Sequence, residues 1–109
     1  MKLKNNCNVK GENSIPTYFI VEVTRVKDEA QYQRYVQAAR AIIEKHHGEH
    51  LIRTRDIKLT TGTTKPERLI LVKFPDAQTA KTCFDAAEYR ALTPMREQAV
   101  ESRAFLVNQ

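Results

Sequence analysis

At 109 residues the chain has room for one hydrophobic core and no second domain. Its hydrophobic content of 41% and charged content of 28% are those of a folded globular protein. The formal charge is +5, but Lys2, Lys4 and Lys10 against Glu12 alone account for two of those charges, and the rest is spread along the body. No Arg/Lys stripe with interleaved aromatics, finger, cold-shock or basic-zipper pattern is present, and tryptophan is absent, so the composition disfavours nucleic-acid readout.

Residues 1–14, MKLKNNCNVKGENS, form a polar leader with a basic start and no apolar stretch behind it. That composition excludes an ordinary secretory signal and predicts a flexible segment ahead of a single domain at 15–109. No later run is long enough to cross a bilayer. Cys7 and Cys83 share no CxxC or zinc-ligand spacing and read as free thiols in a reducing cytoplasm.

The run TYFIVEVTRV is rich in β-branched and aromatic residues and predicts a strand, with Phe19, Val21 and Val23 on one face and Tyr18, Ile20, Glu22 and Thr24 on the other. Asp28 then supplies a helix N-cap with Gln31 three residues on. Tyr32, Tyr35, Val36, Ala39, Ile42 and Ile43 recur at helical spacing over about five turns, and Gly48 is expected to end the helix in a left-handed conformation.

EHLIRTRDIKLTT and RLILVKF, separated by a turn at Gly62 to Pro66, predict a hairpin. Its second strand is apolar on both faces and suits a central place; its polar first strand suits an edge. Asp76 caps a further helix whose expected buried stripe is Ala80, Cys83, Phe84 and Ala87. Thr93-Pro94 interrupts and restarts the pattern, Leu92, Met95, Ala99 and Val100 continue it, and RAFLV makes a last strand. The order β-α-β-β-α-β is the ferredoxin-like α+β arrangement, a four-stranded antiparallel sheet with both helices on one face. The uncovered face makes a symmetric homodimer the default expectation.

Polar residues set into apolar faces are the candidate site. Glu22, in the middle of an apolar strand, is a candidate proton acceptor, or else half of an ion pair with an arginine on a neighbouring strand. Arg53 and Arg55 share a face with Leu51, Ile57 and Leu59 if the strand is regular. They could hold a carboxylate or phosphate, or they could protect a sheet edge by charge. Arg96 borders the last helical stripe and could close over an anion, with the hydroxyls of Tyr35 and Tyr89 lining the same cleft or packed in the core. His50 is a second candidate acceptor. His46, His47 and His50 lack a completing ligand set and Gly48 separates them, so no metal site is assigned. With three glycines in all, no phosphate-cradling loop or dinucleotide fingerprint can be built, and no cofactor is expected.

The runs YFIVEVTRVKDEAQYQRYV, HHGEHLIRTRDIKL and RLILVKFPDAQTAKTCFDAAEYRAL, followed by Arg96, resemble the family known as domain of unknown function 1330, over about Thr17 to Asn108. The resemblance implies a dimeric α+β barrel in which two ferredoxin-like sheets meet. Relatives in the wider superfamily include cofactor-free monooxygenases, isomerases and haem-binding enzymes, so the fold does not name a reaction. Three departures stand out. Thr54-Arg55 replaces a frequent Gly-Gly pair and implies a regular strand, Thr61 replaces an acid before Gly62, and Ala86 and Ala87 replace a serine-bearing step. Two readings follow. One is a dimeric protein that binds a small anionic or carbonyl-bearing organic molecule, as a cofactor-independent enzyme or not, with Arg53 or Arg96 orienting it and Glu22 or His50 accepting a proton. The other is a non-catalytic dimeric module.

Overall fold

The computed structural model describes residues 15–109; the leader 1–14, and with it Cys7, lies outside the described residues. β1 (Thr17–Val26) is followed by α1 (Glu29–Lys45), β2 (Glu49–Thr54), β3 (Arg68–Phe74), three short helices α2 (Ala77–Asp85), α3 (Ala87–Arg90) and α4 (Thr93–Ala99), and β4 (Val100–Asn108). The strands form one antiparallel sheet in the order β2-β3-β1-β4. This is the expected ferredoxin-like architecture, with β3 central and β2 at an edge.

Alternation decides the two faces. Phe19, Val21 and Val23 of β1 lie level with Val72, Ile70 and Arg68 of β3 and face the helices. Tyr18, Ile20 and Glu22 lie level with Lys73, Leu71 and Leu69 on the open face, joined across β4 by Val107, Phe105 and Arg103. Phe105 and Val107 remain exposed there. The core is centred on Val72, Phe74, Ala80 and Cys83, all fully buried, with a second cluster of Val23, Tyr32, Val36, Ala99 and Val100 beneath α1. Phe84 links the helical layer to the sheet, its ring 4.5 Å from that of Phe19, 5.6 Å from Phe74 and 4.8 Å from Tyr89. Burial lifts the Cys83 thiol to about 11, so it is an inert packing group.

Asp28 caps α1 as expected, accepting a hydrogen bond from the Gln31 backbone N–H at 3.1 Å. The other end of α1 differs. His47, at φ 71°, takes the left-handed position, a conformation that histidine adopts more readily than most residues. Gly48 is needed for a different reason: a Cβ there would lie 2.4 Å from Ile43 Cγ2 and 3.1 Å from Phe74 Cε1. The chain turns from helix into β2 by packing backbone directly against the core.

Three further expectations are corrected. β2 stops at Thr54 instead of running to Thr61. Continuing the Thr54–Leu69 register would oppose Arg55 to Arg68 and Ile57 to Pro66, a like-charge pair followed by a residue without an N–H, so the ladder cannot extend. The helix after Asp76 breaks at Ala86, whose backbone is extended (φ −63°, ψ 138°), which leaves Ala87 exposed and brings Tyr89 into the core instead. Val100 opens β4 rather than ending a helix.

The tight seat of Gly48 yields the first prediction. Gly48→Ala is expected to lower stability by about 1–3 kcal/mol through overpacking, measured as a shift in the urea-unfolding midpoint with unchanged slope.

Candidate functional site

The helical layer runs out before it reaches β4, whose residues from Glu101 onward are all exposed. Over this strand opens a cleft of about 460 Å³, floored by Phe19, Val21, Ala104 and Leu106 and walled by Tyr35, Phe84, Tyr89 and Arg96. The volume is that of an ordinary small-molecule site. Six of its lining residues also border an inner recess of about 50 Å³ beneath α1, which reaches His50, Arg53 and Arg40. The two spaces form one passage from the β4 edge toward β2.

α4 holds Arg96 in place. Its C-terminal end is tied to the β1–α1 connection by Lys27 N–H and Asp28 N–H, which donate to the Ala99 carbonyl at 2.7 and 3.2 Å, and by Lys27 Nζ, which donates to the Glu97 carbonyl at 2.7 Å. Pro94 sits in its first turn, where a missing N–H costs nothing. Among the described residues, no carboxylate lies within salt-bridge distance of Arg96. Tyr89 lines the same cleft, its hydroxyl pushed well up by burial and then by the neighbouring Tyr35 hydroxyl, with Arg96 pulling the other way.

His50 reaches the recess because β2 is not regular. Its register against β3 slips between His50 and Ile52: His50 lies opposite Val72, yet Ile52 is already opposite Leu71 and Arg53 opposite Ile70. The bulge corrects the regular strand expected from Thr54-Arg55. It places the extra residue at Leu51, so that His50 and Arg53 point to the helix side together while Ile52 and Thr54 take the open face. Arg55 falls beyond the strand end and no longer shares a strand face with Arg53.

The His50 imidazole has its basicity lowered, first by burial and then by the positive charges of Arg40 and Arg53, opposed by Glu44. Its Nδ1 is buried without a protein hydrogen-bond partner, the Glu44 carboxylate standing off at 3.8 Å. Glu44 is itself engaged by Arg40 at 3.0 Å. The ring is therefore held neutral at pH 7 and keeps a lone pair, the state a proton acceptor needs.

Glu22 is elsewhere. It lies on the open sheet face and accepts a hydrogen bond from Arg103 Nε at 2.8 Å, the geometry of the cross-strand ion pair. The sheet separates it from the cleft. Of the six candidates, Tyr35, Arg53, Tyr89, Arg96 and His50 converge on one passage and Glu22 does not. His46 faces Glu88 at 3.9 Å while His50 faces Glu44, so these two side chains point to different acids. Sequence reasoning missed Arg40, Phe84 and Ser102 as lining residues. Arg40 has a signal in retrospect, since it follows Val36 by one helical turn; Ser102 has none until the β4 register is known.

The sequence model of the family described as "Domain of unknown function (DUF1330)" matches residues 16–109. The chain belongs to the DUF1330 family. No curated protein matches it in sequence. Among solved structures it is similar to a protein of unknown function from Rhodopseudomonas palustris, at 15% identity and TM-score 0.73 over 89% of this chain and 84% of that one. It is similar also to SnoaB, a cofactor-independent oxygenase from Streptomyces nogalater, at 9% identity and TM-score 0.64, covering 88% and 94%. A third is a dimeric protein of unknown function with a ferredoxin-like fold from Bacteroides fragilis, at 14% identity and TM-score 0.54, covering 86% and 94%. At these identities the likeness is one of fold. No helix among the described residues is long and apolar enough to cross a membrane.

From the lowered basicity of His50, the protein is expected to lose stability in acid. A histidine that resists protonation in the folded state contributes stability that is present above its ordinary value of 6.5 and lost as the pH falls toward its folded value. Thermal melts between pH 7.5 and pH 5 should show the wild type losing more stability than His50→Gln, and a His50 ring signal titrating below 6.5 in NMR should accompany it.

Proposed function

We propose that the protein is a homodimer that binds a small organic molecule with an apolar or aromatic body and one anionic or carbonyl group, seated in the cleft over β4. The observation that carries this reading is Arg96, a guanidinium with no carboxylate partner among the described residues, set into a wall of Tyr35, Phe84 and Tyr89. Such a cation in aromatic surroundings favours a carboxylate or a polarised carbonyl, which it can engage in a planar fork. The Tyr hydroxyls supply donors, and the rings supply stacking area for the ligand body.

His50, at the inner end of the passage, is the proton acceptor in this reading. A neutral imidazole near a carbonyl made electron-poor by Arg96 can remove a proton from the adjacent carbon or hydroxyl, chemistry that needs no cofactor. The fold parallel with a cofactor-independent oxygenase supports the reading by analogy alone. Ligand-observed NMR with benzoate and 1-naphthoate tests the binding step. Arg96→Gln is expected to weaken binding about tenfold to a hundredfold, the worth of a charge-assisted hydrogen bond. Unchanged affinity in that variant removes Arg96 from the site.

The homodimer forms through the open sheet face. Ile20, Leu69, Leu71, Phe105 and Val107 give that face its apolar centre, and two structures of similar fold are described as dimeric. Glu22 and Arg103 then belong to the dimer rather than to the ligand. Leu71→Asp is expected to yield monomers in native mass spectrometry while leaving the far-ultraviolet dichroism folded. A dimer persisting at micromolar concentration would place the interface elsewhere.

A further inference from the structure

Outside the cleft, three guanidiniums gather where β2 ends and β3 begins. Arg53, Arg55 and Arg68, with Tyr32, Thr54 and Ile70, line an open depression of about 340 Å³. Arg68 is the fixed member. Its guanidinium stacks 4.9 Å above the Tyr32 ring and forks onto Glu29, Nη2 donating to Oε1 at 2.8 Å and Nη1 to Oε2 at 3.3 Å. The side chain is only 14% exposed, against 55% for Glu29.

Arg53 and Arg55 have no carboxylate within salt-bridge distance among the described residues. Each charge is felt at a partner of Arg68, Arg53 at Tyr32 and Arg55 at Glu29. Burial raises the Tyr32 hydroxyl while Arg68 and Arg53 pull it down. The Glu29 carboxyl is held below its ordinary value by hydrogen bonds from Gln33 and Arg68, with the charge of Arg55 adding to that of Arg68. Arg68 and Arg55 thus act on the one acid, and Arg53 on the tyrosine that Arg68 stacks upon.

Protection of a sheet edge does not account for this arrangement. Arg68 is on a central strand and mostly buried, and the β2 bulge places Arg53, itself exposed, on the same helix-side face. Like charges this close repel, and an anion of matching charge removes the repulsion.

The structure assigns this cluster as a second binding site, for a phosphoryl group on a small molecule or as free phosphate. Two unpaired guanidiniums at the end of β2, beside the Arg68–Glu29 pair at the start of β3, suit a tetrahedral dianion better than a planar carboxylate, which a single fork satisfies. The net charge of the three guanidiniums and Glu29 matches a dianion. Arg53 borders both this depression and the inner recess, so a molecule carrying a phosphoryl group could occupy both spaces.

The test is isothermal titration of the full chain with inorganic phosphate, phenyl phosphate and malonate at constant ionic strength. Phosphate and phenyl phosphate should saturate one site per chain, with malonate at least about tenfold weaker. Arg55→Gln, an exposed residue outside the strands, should weaken phosphate about tenfold, and Glu29→Gln should tighten it by removing the competing acid. Arg96→Gln should leave phosphate binding unchanged, which separates this site from the cleft above. Three results would overturn the assignment: no saturation at millimolar phosphate, equal binding of malonate, or an equal loss in the control Arg90→Gln, which would mean diffuse surface charge.

Discussion

A sheet that is apolar on both faces, with helices for only one of them, governs this molecule. β3 carries Ile70 and Val72 on one side and Leu69 and Leu71 on the other, and β1 repeats the pattern with Val21 and Val23 against Ile20. Fully burying such a side chain is worth ~2 kcal/mol, so the half-buried uncovered set favours a partner on that face. On the covered face the helical layer is too short for four strands. α1 and the α2–α3 segment seal β1 and β3 around Phe84, and the face of β4 is left as the floor of a cleft. Both the open apolar face and the cleft over β4 are consequences of that shortfall.

The β2 bulge decides what chemistry enters the cleft. In a regular strand His50 and Arg53 point to opposite faces, because side chains alternate with a period of two. One extra residue at Leu51 puts both on the helix side. His50 then sits in a setting where burial and two arginines keep it neutral, and Arg53 stands between the recess and the basic depression at the β3 start. The same strand sends Ile52 to the open face, where it extends the apolar area that a partner would cover. A single local irregularity thus serves two surfaces at once.

Charge is sorted by face in the same way. Glu22 and Arg103 neutralise each other across β1 and β4 on the open side, while the helix side collects Arg53, Arg68 and Arg96, of which Arg68 is paired with Glu29. Arg53 and Arg96 have no carboxylate within salt-bridge distance among the described residues. Glu22 read as an acid in an apolar strand because a sequence shows the alternation but not which cross-strand neighbour completes it; Arg103 is 81 residues away.

The architecture was legible wherever the signal was local and periodic. The strand at Thr17–Val26, the Asp28 cap, the stripe from Tyr32 to Ile43 and the central character of β3 follow from alternation, capping and helical spacing. These are properties of short windows of chain. What tertiary structure alone decided depends on residues distant in sequence. Gly48 is required by Ile43 and Phe74 rather than by its own dihedral angle. β2 ends early because its continuation meets Arg68 and Pro66, and the helix breaks at Ala86 so that Tyr89 can reach Phe84. Arg96, Tyr35, Tyr89 and His50 were recognisable one by one as polar groups in apolar settings. Their convergence was not, because it rests on a one-residue register slip and on where a helical layer stops. Both are settled by packing between elements, which no window of the sequence contains.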